Sequence, residues 1–145
     1  MSLYIVAREP GAKGTKEVAA VDLGPYQLLH KIKSAVAHLL EGDIWGDRFP
    51  LLMNSSDTDA YYGPEEVGKL YAEMEQLVHE LELRSPAELR PDDEPHDPML
   101  PTQLLNGSAA NLADYFLTVD GQPVLRVLLD LCRIAASRHL EIAFT

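Results

Sequence analysis

Residues 124–138 are apolar around most of a helical circumference. Val124, Leu125, Val127, Leu128, Leu129, Leu131, Cys132, Ile134 and Ala135 leave Arg126, Asp130, Arg133 and Ser137 as a narrow polar strip ahead of the terminal Arg138. Such a helix has to be covered on several sides, so the rest of the chain must build walls around it. The pattern predicts it to be the most buried helix. At 145 residues the chain has the length of one domain spanning 1–145, and two would each have a thin core.

The walls are legible in turn. Residues 3–7 (Leu-Tyr-Ile-Val-Ala) and 18–23 read as strands joined by a polar, glycine-containing turn. Gly24-Pro25 stops the second strand, and residues 25–41 carry Leu29, Ile32, Val36, Leu39 and Leu40 at helical spacing, with Gly42 as the stop. An aromatic loop with Trp45 and Phe49 leads to Leu51-Leu52-Met53, read as a third strand. Residues 54–63 read as a polar loop. Pro64, Glu65 and Glu66 then open an amphipathic helix. Its apolar stripe is Val67, Leu70, Tyr71, Met74, Leu77, Val78 and Leu81, and its outer face is acidic. Residues 85–101 hold five prolines and read as a loop. A short helix capped by Ser108 is expected through Phe116, and residues 140–144 alternate as a closing strand. The order ββαβααβ predicts an α+β fold, a small, mostly antiparallel sheet against about four helices.

Charge narrows the function. The net charge is −11, and residues 63–100 carry eleven acids against three bases. A field of that sign repels phosphate backbones and anionic lipid, so neither nucleic acid nor a membrane is an expected partner; a cationic protein is. Residues 1–8 have no basic stretch ahead of a long apolar run, and the single cysteine fits a reducing compartment, so the cytoplasm is the expected location.

The motifs for chemistry are weak. Cys132 sits in the apolar arc of the last helix, where a thiol stays protonated. The five histidines form no HxxxH or HExxH pair, and no metal or other cofactor is expected. Counting from Asp57, a calcium loop would want glycine at Tyr62 and glutamate at Gly68, and both fail. There is no GxSxG and no phosphate-binding glycine loop, so an enzyme is not expected, although carboxylates that meet only in the fold leave a small hydrolase open. What remains is interface chemistry: aromatics flanked by acids. The candidate partner-binding residues are Asp57, Asp59, Tyr61, Tyr62, Glu65, Glu66, Glu73, Glu75, Glu80 and Glu82.

Several segments together resemble the immunity protein 70 family of bacterial polymorphic toxin systems. They are Leu3-Tyr4-Ile5-Val6, Gly46-Asp47-Arg48-Phe49-Pro50-Leu51-Leu52, Ser56-Asp57-Thr58-Asp59, the run from Tyr61 to Glu66, and Tyr115-Phe116-Leu117-Thr118-Val119-Asp120-Gly121. The leucine-rich helix with Leu131-Cys132 completes the pattern. The stretch 85–101 matches no part of it. The resemblance implies a cytosolic antitoxin that binds a cognate toxin domain, and the acidic, aromatic-edged face is expected to act by occlusion. The other reading of the same residues is a general acidic interaction or scaffold domain, homodimeric or not.

Overall fold

The computed structural model describes residues 2–10, 16–89 and 104–145. Strand β1 (Ser2–Arg8) pairs antiparallel with β2 (Glu17–Pro25), and helix α1 (Tyr26–Leu40) follows at once, with Pro25 as its extended N-cap. Then come α2 (Pro50–Met53), β3 (Tyr61–Tyr62), α3 (Pro64–Glu82), α4 (Val124–Ser137) and β4 (Glu141–Phe144). The sheet order is β2-β1-β4-β3 and every pairing is antiparallel. The fold is α+β, as the order of the predicted elements required.

Alternation along the strands gives the sheet two different faces. Leu3, Ile5 and Ala7 of β1 and Ile142 and Phe144 of β4 point into one hydrophobic core with Tyr62 and the helices. Helices α3 and α4 pack on each other there, through Leu70, Met74, Leu77 and Leu81 on one and Leu125, Leu128 and Cys132 on the other. Helix α1 buries eight of its fifteen residues and α4 six of fourteen, so α4 is not the most buried helix. The difference lies partly in Leu129 and Ile134, which are partly exposed, and partly in Lys33 of α1, which is buried.

Two expected elements differ. Leu51-Leu52-Met53 is not a strand but the body of α2: Pro50 occupies its first turn, and the Glu73 carboxylate accepts from the amides of Leu51 (3.2 Å) and Leu52 (3.3 Å). A three-residue apolar run has no period of its own, so its partner decided the conformation. The third strand is Tyr61–Tyr62, within the expected loop, held by Ala143 and Ile142. The helix expected from Ser108 to Phe116 is reduced to one 3₁₀ turn, Leu112–Asp114, capped by Asn111; the Ser108 amide instead donates to Asn106 Oδ1 (3.1 Å). Asparagine side chains that bond the nearby backbone win over a helix in so short a segment. Of the expected loop 85–101, Pro86–Glu88 forms a 3₁₀ turn and residues 90–101 lie outside the described residues.

The connection from α1 to β3 follows the edge of the core with little regular structure, and buried charges supply its missing hydrogen bonds. Gly42 (φ 60°) and Asp43 (φ 66°) turn the chain at the end of α1. The Glu41 carboxylate, 3% exposed, then accepts from the amides of Gly46 (3.1 Å), Arg48 (2.9 Å) and Phe49 (3.0 Å). Replacing Glu41 with Ala strands three amides, one of them buried, and should cost about 2–4 kcal/mol. Urea denaturation checks this, and a loss below about 0.5 kcal/mol would show that the carboxylate does not hold the loop.

Candidate functional site

The same connection carries Asp57 and Asp59, and its geometry separates side chains that build the fold from those left exposed. Lys33, 1% exposed, donates to the Ser55 carbonyl (2.8 Å) and hydroxyl (3.1 Å) and pairs with Asp57 (2.8 Å). The other Asp57 oxygen meets His30 Nδ1 at 3.1 Å. Trp45 Nε1 donates to the Met53 carbonyl (2.7 Å), with its ring centroid 5.9 Å from that of His30. Phe49 is buried, while the Trp45 ring stays half outside.

Five of the ten candidate residues are committed to the structure. Asp57 neutralises Lys33. Tyr62 is 3% exposed, its hydroxyl donates to the Leu51 carbonyl (2.6 Å), and burial pushes its pKa up to about 12. Glu73 holds the α2 amides, and burial raises its pKa. Glu80 forms a two-pronged pair with Arg48, and Glu82 pairs with Arg126 (3.0 Å), which Asp114 also grips (2.9 Å). The other five, Asp59, Tyr61, Glu65, Glu66 and Glu75, are exposed, and none of the four acids has an ion-pair partner among the described residues.

Four of these five meet at one place. Strand β3 and the first turn of α3 bring Tyr61, 56% exposed, beside Asp59, Glu65 and Glu66, while Glu75 stands further along α3. Glu66 reaches back to the Gly63 amide at 3.4 Å, a long capping contact. A cleft of about 320 Å³ lies here, with Leu51, Ser55, Asp59, Tyr61, Tyr62 and Glu66 in its lining. A second hollow, of about 390 Å³, is lined by Tyr26, Gln27, His30, Lys31, Asp57 and Thr58.

Tyr61 also belongs to the outer face of the sheet. Register places Tyr4, Val6 and Arg8 of β1 beside Ala143 and Glu141 of β4, with Tyr61 opposite Ala143. Tyr4 is 47% exposed, whereas Glu141, 5% exposed, accepts from Tyr61 Oη (2.5 Å) and Arg8 Nε (2.7 Å). The Tyr61 hydroxyl first, and Arg8 after it, hold the Glu141 carboxyl below the usual carboxylate range. Sequence reasoning passed over Arg8, Tyr4 and Glu141. The strands read at 3–7 and 140–144 contain Tyr4 and Glu141 and stop short of Arg8, and only strand pairing puts the three on one face.

The residues weighed for chemistry have settled positions. Cys132 is fully buried, and desolvation pushes its thiol up to about 12. Among the described residues no three His, Cys, Asp or Glu side chains gather as a metal site, and no helix is long and apolar enough to cross a membrane.

The Glu141 shift sets a pH dependence. Its folded pKa is depressed, so its stabilisation is complete above the unfolded carboxylate value and is lost as pH falls through the folded value. Glu80 and Asp114, lowered by Arg48 and Arg126, act in the same sense. Between neutral pH and about pH 3 the urea midpoint should fall, and Glu141→Gln should start lower and fall less. Parallel curves for the two proteins would contradict this role for Glu141.

No curated protein and no solved structure matches the chain. A protein-family model described as Immunity protein 70 matches residues 15–144. The match takes in the proline-rich stretch that the resemblance left out, and it begins after β1, which the resemblance had included. With nearly its whole length matched, this chain belongs to the Immunity protein 70 family.

Proposed function

We propose that this immunity protein works in the cytoplasm as the antidote to a cognate, basic toxin domain. In this reading it binds the toxin and covers its working surface through Asp59, Tyr61, Glu65, Glu66 and Glu75. The observation that carries the proposal is the division among the acids. Asp57, Glu73, Glu80 and Glu82 are engaged within the chain, whereas the four candidate carboxylates without ion-pair partners among the described residues include three beside one exposed tyrosine. Family membership supports the class of partner.

The physics suits occlusion. An unpaired carboxylate projects its field into solvent, while one paired with arginine is largely cancelled at a distance. A net charge of −11 with Asp59, Glu65 and Glu66 exposed beside Tyr61 steers a cationic partner toward that place, worth about 10–1000-fold in association rate at low salt. Tyr61 supplies a flat, half-exposed anchor of the kind that dominates interface energetics. Binding of this kind asks for no catalytic group. The strongest group of the hydrolase type, Glu73, has its carboxylate on the α2 amides.

The test is co-expression with the toxin domain encoded beside this gene. The chain should restore growth. With purified proteins, Glu65→Lys, Glu66→Lys and Glu75→Lys together should slow association about tenfold or more at low salt and flatten its salt dependence. Tyr61→Ala should speed dissociation, weakening affinity by about 2 kcal/mol. No rescue from any adjacent toxin would remove the immunity reading. Rescue with unchanged association in the triple variant would remove only the acidic face.

A further inference from the structure

The cleft beside Tyr61 has features that a generally acidic face lacks. It lies between α2, β3 and the first turn of α3, and encloses about 320 Å³. That is at the lower end of the usual range for pockets holding small ligands, about 300–1,000 Å³. Among the described residues its charged lining residues are Asp59 and Glu66, both acidic, which favours a cation there. Tyr61, Tyr62, Pro50, Leu51 and Ala60 add flat aromatic and aliphatic surface, and Ser55 and Ser56 add hydroxyls.

The walls are fixed before any partner arrives. Tyr62 Oη holds the Leu51 carbonyl (2.6 Å), Ser55 Oγ holds the Leu52 carbonyl (2.6 Å), and Glu73 holds the amides of Leu51 and Leu52. A recess preorganised in this way loses little entropy on binding.

We infer that this cleft receives an arginine side chain of the partner protein, an inference that rests on the reading of this face as the meeting place with a basic protein. Charge complementarity selects a cation. The mixed lining selects guanidinium over ammonium. Guanidinium is planar and weakly hydrated, so it lies against tyrosine and aliphatic surface while its N–H fork reaches carboxylates. Ammonium is a strongly hydrated point charge and gives up more on entering a partly apolar recess. The aliphatic stem of arginine fits the rim made by Pro50 and Leu51.

The probe is a short, unstructured glycine peptide with one central arginine, added to the isotope-labelled full chain and followed by NMR. Matched peptides carry lysine or citrulline instead. The arginine peptide should shift the amides of residues 51–66, the lysine peptide should bind several-fold more weakly, and citrulline, which keeps the shape without the charge, should produce no shift there. Asp59→Asn with Glu66→Gln should weaken the arginine peptide about tenfold, since charge-assisted hydrogen bonds are lost. Glu75→Gln, outside the cleft, should leave it unchanged. All three substitutions are at exposed side chains, and an unchanged circular dichroism spectrum confirms folding. Equal responses to arginine and citrulline, shifts confined to other surfaces, or an unaffected double variant would overturn the inference. A chain that gives any of these results yet still rescues growth loses the arginine cleft and keeps the immunity function. A chain that binds the arginine peptide and rescues no toxin keeps the cleft and loses that function.

Discussion

The structure turns on how the chain crosses from α1 to β3 along the edge of its own core. Every backbone N–H and C=O taken from water there needs a partner, and this connection has only one helical turn of its own. Turn bonds such as that from the Ile44 amide to the Glu41 carbonyl (3.0 Å) satisfy some, and side chains from the flanking helices satisfy others. Glu41 at the end of α1 takes three amides, Glu73 in α3 takes two, and Lys33 in α1 holds the Ser55 carbonyl. Each of these charged groups is costly to bury, and each offsets that cost by satisfying backbone groups that would otherwise be orphaned. Remove the helices and the connection has no conformation; remove the charges and it cannot lie against them.

This arrangement divides the acidic residues into two populations with different physics. Carboxylates turned inward or sideways either pair with arginine or lysine, which cancels much of their field at a distance, or are hydrogen-bonded to backbone amides. Those at Asp59, Glu65, Glu66 and Glu75 face solvent without an ion-pair partner among the described residues. Three of the four lie where β3 ends and α3 begins, next to the tyrosine that also covers Glu141 on the outer sheet face. A rigid scaffold thus carries an irregular, charged edge, a division of labour common in binding proteins.

Much of the fold was legible because long segments repeat their pattern. Three helices and three strands were placed to within a residue or two, since a stripe such as Val67, Leu70, Met74, Leu77 and Leu81 has a period only a helix satisfies. The short elements were not. Leu51-Leu52-Met53 fits strand or helix equally, and the carboxylate that settles it lies 21 or 22 residues away. Tyr61-Tyr62 is a strand only because β4, some eighty residues later, needs a neighbour. Site residues followed the same rule. Composition marked a stretch rich in acids and aromatics, but it could not separate Tyr61 from Tyr62, which alternate to opposite faces of one strand.

By itself the sequence determined the types of the long elements, the sign of the field and the apolar helix that demanded a shared core, because these follow from local periodicity and from summed charge. Tertiary structure alone decided which carboxylates are spent on the backbone and which remain free, and it alone joined Arg8, Tyr61 and Glu141 on one face. The reason is range. Helical and strand periods act between residues a few positions apart, whereas a hydrogen bond or ion pair is fixed by distances of about 3 Å between groups that chain order leaves far apart.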